Sequence, residues 1–133
     1  MTSKQYLALD VGEKRIGVAL GDDTVKIAVA YDTIDVDGTE YDRIKSLLAS
    51  ESVNVLVVGY PRNQSGEPTK QTAYVESFVE KLDTGGVPVE FQDESVTSVQ
   101  AESILRRQKQ PYTRGDIDAL AASLILQDYM EQR

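Results

Sequence analysis

The 133-residue chain carries 14 basic and 22 acidic side chains, a formal net charge of −8, and it contains no His, Cys or Trp. The missing His and Cys exclude a Ser-His-Asp triad, a thiolate nucleophile, a His/Cys zinc site and a disulfide framework. Any chemistry must therefore use carboxylates, Lys, Arg, Tyr, hydroxyls, backbone amides or an oxygen-bound metal. We expect one soluble, cytoplasmic domain over residues 1–133, because we see no signal peptide and no membrane-length apolar run. The acidic balance argues, at first sight, against a nucleic-acid partner.

The first third of the chain predicts three consecutive strands joined by short turns. Residues 6–11 form an apolar run closed by Gly12, and residues 15–20 form a second run. Residues 25–34 alternate apolar and polar side chains, which is typical of a more exposed strand. Three strands with short turns between them predict an antiparallel meander.

The rest of the chain predicts helices that alternate with buried strands. The predicted strands cover residues 53–58 and 87–91, and the predicted helices lie around residues 44–48 and over 69–82, 96–107 and 115–131. The resulting order is βββαβαβαα. This order predicts an α/β fold with a mixed five-stranded sheet and helices on both faces.

Carboxylates stand at three unusual places in this pattern. Asp10 interrupts an apolar strand, Asp93 and Glu94 follow the last strand, and Asp118 shares a helix face with small apolar residues. A carboxylate in a buried strand is costly unless it is paired or binds a cation, and ligands of α/β sheets bind at the strands' carboxyl ends. Ordinary structural roles remain open at each place: a turn for Asp10, a helix cap for Asp93 or Ser95, and a favourable first-turn helix position for Asp118.

Together, the three positions indicate one chemistry. A first strand, the end of a last strand and a following helix can converge on one edge of a mixed sheet. Carboxylates without His are the ligands that Mg²⁺ or Mn²⁺ prefers. Two such ions can activate a hydroxide and stabilise the leaving oxygen of a phosphodiester. The candidate metal ligands are Asp10, Asp93, Glu94 and Asp118.

Four segments, in order, resemble the YqgF/RuvX family, which comprises Holliday-junction resolvase-like proteins of bacteria. They are LALDVGEKRIGVAL at residues 7–20, VVGYPRNQSG at 57–66, FQDESVTSVQAE at 91–102 and RGDIDALAASLILQDYM at 114–130. The resemblance implies the RNase H-like fold. It also implies a nuclease that matures the 5′ end of pre-16S rRNA in ribosome biogenesis, with Holliday-junction cleavage as the older alternative.

The resemblance also implies site residues. The family's catalytic carboxylates match Asp10, the pair Asp93 and Glu94, and Asp118. Of the pair we favour Glu94, because its longer side chain can reach in from the end of a strand. Catalytic Asp10, Glu94 and Asp118 would then act with two Mg²⁺ or Mn²⁺ ions.

The chain departs from the family's motifs at three positions. Ser95 stands where the third motif has Arg, and Arg62 and Gln64 stand where the second motif has apolar residues. These changes concern how the substrate is held more than whether metal binds. Arg62 is a candidate replacement for the missing Arg.

The net charge conceals an uneven distribution. Residues 21–42 carry −6 and residues 83–102 carry −5, whereas residues 103–115 carry +4. The residues predicted to contact nucleic acid are Lys14, Arg15, Arg62, Asn63, Arg106, Arg107 and Arg114, with Tyr60 and Tyr112 as stacking candidates. Arg106 and Arg107 have an alternative role as complements to a helix dipole. The distribution predicts weak, salt-sensitive nucleic-acid binding that depends on the metal.

Three classes of function therefore compete. The first is a metal-dependent nuclease for structured RNA or branched DNA, acting on pre-ribosomal particles in the RNA case. The second is a non-catalytic nucleic-acid-binding module of the same fold. The third is a fragment of an actin-like or sugar-kinase ATPase, which also opens with Asp-x-Gly-x-x-x-x-Gly, although the chain is too short for two lobes. Monomer and homodimer both remain open, and no membrane partner is expected.

Overall fold

A computed structural model describes residues 4–61, 67–94, 97–108 and 111–132, with only the backbone for Glu94, residues 97–100 and Glu102. The elements are β1 (Gln5–Val11), β2 (Arg15–Asp22), β3 (Val29–Asp35), α1 (Glu40–Ser50), β4 (Val55–Pro61), α2 (Lys70–Lys81), β5 (Val89–Glu94), α3 (Thr97–Arg107) and α4 (Arg114–Glu131). The predicted order βββαβαβαα is confirmed. Within the described ranges, no helix is long and apolar enough to span a membrane.

The five strands form one mixed sheet in the order β3-β2-β1-β4-β5. β1 pairs with β2, and β2 with β3, in antiparallel fashion. β4 runs parallel to both β1 and β5. The antiparallel meander and the mixed α/β sheet are therefore as predicted, and β1 lies at the junction of the antiparallel and parallel halves.

The third strand is shorter than predicted. It begins at Val29 rather than at residue 25, because residues 22–25 form a turn in which Asp22 Oδ1 accepts hydrogen bonds from the backbone N–H of Thr24 and Val25. Lys26 then adopts a left-handed φ of 56°. The alternating apolar pattern continues through this turn, which explains why the strand boundary was predicted too early.

Two hydrophobic cores cover the two faces of the sheet. Leu7 and Leu9 of β1 pack into the core formed with α1 and α2, whereas Ala8 packs into the core formed with α4. Alternation along a strand places every second side chain on the same face. Asp10 therefore lies on the α4 face, one pleat beyond Ala8.

Helix α4 approaches the sheet closely at Gly17 of β2. The Cα of Gly17 pairs with Asp10 on one side and with Thr33 on the other. A Cβ atom at position 17 would overlap the carbonyl group of Asp118 and lie 2.9 Å from the amide nitrogen of the next residue. Thr33 Oγ1 also donates a 2.6 Å hydrogen bond to the carbonyl oxygen of Gly115. The start of α4 is thus held directly on this row of the sheet.

We expect Gly17→Ala to lower the free energy of unfolding by ~3 kcal/mol, because the new methyl group meets backbone atoms that cannot rotate away. Urea denaturation of both proteins measures the difference. Gly115→Ala is the matched control, since its Cβ would meet the nearest atom, Thr113 Oγ1, at 3.4 Å. Equal stability of Gly17→Ala and the wild type would contradict the close approach.

Candidate active site

A cavity of about 240 Å³ lies at the carboxyl ends of β1 and β4, beside the β1–β2 hairpin and the starts of α2 and α4. Its lining residues are Asp10, Val11, Gly12, Arg15, Pro61, Gln71 and Asp118. Two of the predicted carboxylates, Asp10 and Asp118, therefore share one cavity although they come from opposite ends of the chain.

Asp118 forms an ion pair with Arg15. Arg15 Nε donates a hydrogen bond to Asp118 Oδ2 at 2.7 Å, and the two side chains are 31% and 21% exposed. Asp118 is the fifth residue of α4, so the expectation that it lies in the first helical turn is wrong. Asp116 occupies the first turn and forms the capping box with Thr113. The helix dipole consequently interacts less strongly with the Asp118 carboxylate than expected, since its effect decays within the first turn of the helix.

The hairpin between β1 and β2 fixes the backbone of Arg15. The backbone N–H of Gly12 donates to the carbonyl oxygen of Arg15 at 3.0 Å, and Lys14 accepts from the N–H of Val36 through its own carbonyl. The side chain of Lys14 is exposed and outside the cavity lining. Of these two cations predicted to bind nucleic acid, only Arg15 lines the cavity.

Gln71 is a cavity residue that the sequence analysis missed. Its Nε2 donates a 3.0 Å hydrogen bond to the carbonyl oxygen of Val11. Thr72, in turn, forms the capping box of α2 with Thr69 and donates through its hydroxyl to the carbonyl oxygen of Pro61. The first turn of α2 thereby ties the ends of β1 and β4 together. The available signal was a polar residue at helical spacing before the buried apolar residues Val75 and Phe78.

Tyr74 lies on the next turn of α2, and its surroundings favour the neutral phenol. Burial raises the pKa of Tyr74 above its usual value, and the nearby Tyr41, Glu13 and Glu40 raise it further. A phenol with a raised pKa remains protonated near neutral pH. Tyr74 therefore offers no base to this part of the molecule.

Strand β5 places Asp93 and Glu94 differently. Asp93 pairs with Tyr60 and lies two residues after Phe91, so Asp93 and Phe91 are on the same face of the strand. The ring of Phe91 packs edge-on against that of Tyr60, with centroids 5.1 Å apart. Phe91 pairs with Val58, a residue of the α1/α2 core. Asp93 thus lies on the face opposite Asp10, outside the cavity lining. The backbone of Glu94 pairs with Pro61, which does line the cavity.

The described part of the cavity contains oxygen ligands suited to a hard cation. Carboxylate oxygens are what Mg²⁺ and Mn²⁺ prefer, so Asp10 and Asp118 fit such an ion. Among the described side chains there is no cluster of three acidic groups able to hold a metal. The third predicted ligand, Glu94, has its side chain outside that description.

The remaining predicted nucleic-acid contacts fall into two groups. Arg106, Arg107 and Arg114 are exposed near the junction of α3 and α4, where Arg106 Nε donates to Tyr112 Oη and Arg107 Nε donates to the carbonyl oxygen of Ser103, both at 3.4 Å. The bond of Arg107 agrees with its alternative role at a helix C-terminus. Arg62 and Asn63, together with Gln64, Ser95 and Lys109, lie outside the described residues.

Solved structures share this fold. The Thermus thermophilus RuvC structure in complex with a Holliday junction matches with a TM-score of 0.55 and 16% identity, covering 97% of this chain and 95% of that one. A second Thermus thermophilus RuvC structure matches with a TM-score of 0.52 and 15% identity over the same shares. The likeness supports the predicted RNase H-like fold.

Sequence relatives cover nearly the whole chain. A relative from Crocosphaera subtropica is 40% identical over 132 residues, which are 96% of this chain and 92% of the relative. One from Chloroflexus aurantiacus is 41% identical over 138 aligned positions, which are 100% and 90% of the two chains. Both are named "Putative pre-16S rRNA nuclease". The family model described as "RuvX: Holliday junction resolvase" matches residues 4–132. This chain, as its four motifs suggested, belongs to the RuvX family.

Proposed function

We propose that the chain is a nuclease that hydrolyses phosphodiester bonds at the 5′ end of pre-16S rRNA, with divalent metal ions held by Asp10, Glu94 and Asp118. The observation that carries the proposal is the convergence of Asp10 and Asp118 on one cavity at the strand ends. The chain has no His or Cys with which to build another common hydrolytic site. Carboxylates and Mg²⁺ or Mn²⁺ are sufficient for this reaction.

Each residue of the proposed site would have a distinct role in binding the metal or in holding a ligand in position. Asp10 on β1 and Asp118 on α4 supply carboxylate oxygens from two rigid elements, whose spacing Gly17 sets. Glu94 is the third ligand, because its backbone pairs with the cavity residue Pro61. When bound, two ions would lower the pKa of the attacking water and stabilise the leaving oxygen. Gln71 holds the end of β1, and with it the backbone beside Asp10.

The substrate assignment rests on relatives and on charge. Relatives about 40% identical across nearly the whole chain carry the pre-16S rRNA nuclease name. Arg106, Arg107 and Arg114 provide an exposed cationic segment on an otherwise acidic protein. Contacts to the phosphate backbone would set affinity without reading sequence. A precursor of the ribosome as substrate implies that the protein works in the cytoplasm, on pre-ribosomal particles.

Holliday-junction cleavage is the second candidate, favoured by the description of the matching family model. The same cavity chemistry serves RNA and DNA, so only substrate choice separates the two candidates. A panel of pre-16S rRNA 5′ fragments and four-way DNA junctions, each incubated with Mg²⁺ or Mn²⁺, decides between them. We expect cleavage of the RNA fragments. Exclusive cleavage of the junctions would reassign the substrate, and metal-independent binding without cleavage would favour the non-catalytic module.

We expect Asp10→Asn and Asp118→Asn each to lower the cleavage rate by about 100- to 1,000-fold, because each removes a charge that holds the metal. The rate on the RNA panel is the measurement, with circular dichroism to verify folding. Asp128→Asn is the matched control, since Asp128 is exposed on the same helix and outside the cavity lining. A folded Asp10→Asn protein with wild-type activity would refute the mechanism.

The neighbouring carboxylates of β5 provide a second test. We expect Glu94→Gln to lose activity to a similar extent as Asp10→Asn, and Asp93→Asn to retain most of it, because Asp93 lies on the other face of the sheet. The two variants are compared in the same cleavage assay. The reverse result would make Asp93 the metal ligand.

The exposed cationic segment allows a prediction about RNA binding that can be tested independently of cleavage. We expect Arg106→Gln/Arg107→Gln to weaken RNA binding and to lower the slope of log affinity against log salt by about 1 for each phosphate that is no longer neutralised. Fluorescence anisotropy at several salt concentrations, in an Asp10→Asn background, measures both effects. Lys45→Gln is the control, since Lys45 pairs with Asp83 and neither residue lines the cavity. An unchanged slope would restrict Arg106 and Arg107 to the helix-dipole role.

A further inference from the structure

The Arg15–Asp118 ion pair occupies the position where a metal ligand is proposed. Asp118 Oδ2 accepts from Arg15 Nε at 2.7 Å, and both side chains line the cavity together with Asp10. Within the described residues, Arg15 is the donor to this carboxylate and Asp118 is the acceptor for this guanidinium. One of the two carboxylate oxygens that a metal could use is therefore already engaged by a cation.

The pair can open without moving either backbone. Gly12 holds the backbone of Arg15 through the hairpin hydrogen bond. Gly17, which has no side chain, allows the backbone of Asp118 to lie against the sheet. The side chains are 31% and 21% exposed, so water reaches both groups. Because water can solvate both groups when the pair opens, neither charge is left buried, and the carboxylate remains at the cavity.

We propose that Arg15 is an exchangeable counter-ion of Asp118. It holds the carboxylate in place in the absence of metal and is released when a divalent cation binds. The inference rests on the proposed function and extends it, because it makes Arg15 and the metal competitors for the Asp118 carboxylate. A divalent cation held by Asp10 and Asp118 would carry two positive charges. It would therefore repel the guanidinium as well as displace it from the Asp118 carboxylate.

The released side chain remains beside the cavity, where it can bind the substrate. Arg15 uses a single nitrogen, Nε, for Asp118. A free guanidinium offers two parallel N–H donors that match two oxygens of a phosphate. Arg15 is thereby a positioning residue that contacts Asp118 in the metal-free protein and a backbone phosphate in the loaded one.

The test measures Mn²⁺ affinity of the full chain by electron paramagnetic resonance, with no nucleic acid present. We expect Arg15→Gln to bind Mn²⁺ about tenfold more tightly than the wild type, since the competing charge is gone. Arg15→Lys keeps the charge but loses the planar Nε donor, so its affinity is expected to be only a few-fold tighter. Lys45→Gln, which breaks the remote ion pair with Asp83, is expected to leave the affinity unchanged.

A second readout separates this role from a merely structural one. In the cleavage assay at saturating metal, we expect Arg15→Gln to raise KM for RNA, because the glutamine cannot bind the phosphate as the guanidinium does, while metal binding improves. A structural defect would instead weaken metal and substrate binding together.

The outcomes distinguish the inference from the proposed function. Unchanged or weaker Mn²⁺ affinity in both Arg15→Gln and Arg15→Lys would overturn the exchange; if the Gln variant does not fold, Arg15→Lys alone decides. Asp118→Asn that binds Mn²⁺ as tightly as the wild type would overturn the metal site itself. Tight binding that requires Asp118 and is unaffected by Arg15 would preserve the proposed function and remove the inference.

Discussion

The close approach of α4 to β2 at Gly17 is the constraint on which the cavity depends. A side chain at position 17 would overlap the backbone of Asp118, so glycine is what allows the helix to lie directly on the sheet. Gly17 pairs with Asp10 across the β1–β2 ladder, and both carboxylates consequently line one cavity. A longer side chain would lift the helix and separate the groups. The packing of one strand against one helix thus determines the geometry of the proposed chemistry.

Much of this arrangement can be predicted from the sequence because it depends on local periodicity. The apolar run of β1 and the helical spacing of α4 identify both elements, and Asp10 and Asp118 stand out because they interrupt apolar patterns. The predicted boundary of β3 was wrong because an alternating pattern also fits a turn stabilised by Asp22. Gln71 was missed because a polar residue in the first turn of a helix has many ordinary roles. A glycine in a strand indicates a close approach, but not the partner that approaches.

Arg15 shows why charge patterns predict less than apolar ones. A cation beside a strand turn is predicted to contact nucleic acid, yet the nearest anion in the fold is a carboxylate contributed by a helix near the other end of the chain. Local spacing carries no information about a pair separated by 103 positions. Because a guanidinium binds carboxylates and phosphates with the same donors, the ion pair and the predicted nucleic-acid contact are two states available to one side chain.

This exchange also bears on how a protein of net charge −8 can bind a polyanion. Without metal, the carboxylates of Asp10 and Asp118 line the cavity, and the guanidinium of Arg15 is engaged by Asp118, an arrangement that disfavours the approach of a phosphate. A divalent ion would offset the negative charge of the carboxylates and, by displacing Arg15, would also free a guanidinium to face the substrate. Metal binding would therefore act twice on the same phosphate, through the charge of the ion and through the released side chain. The acidic composition would then restrict nucleic-acid binding at the cavity to the metal-loaded protein, which is the state proposed to cleave.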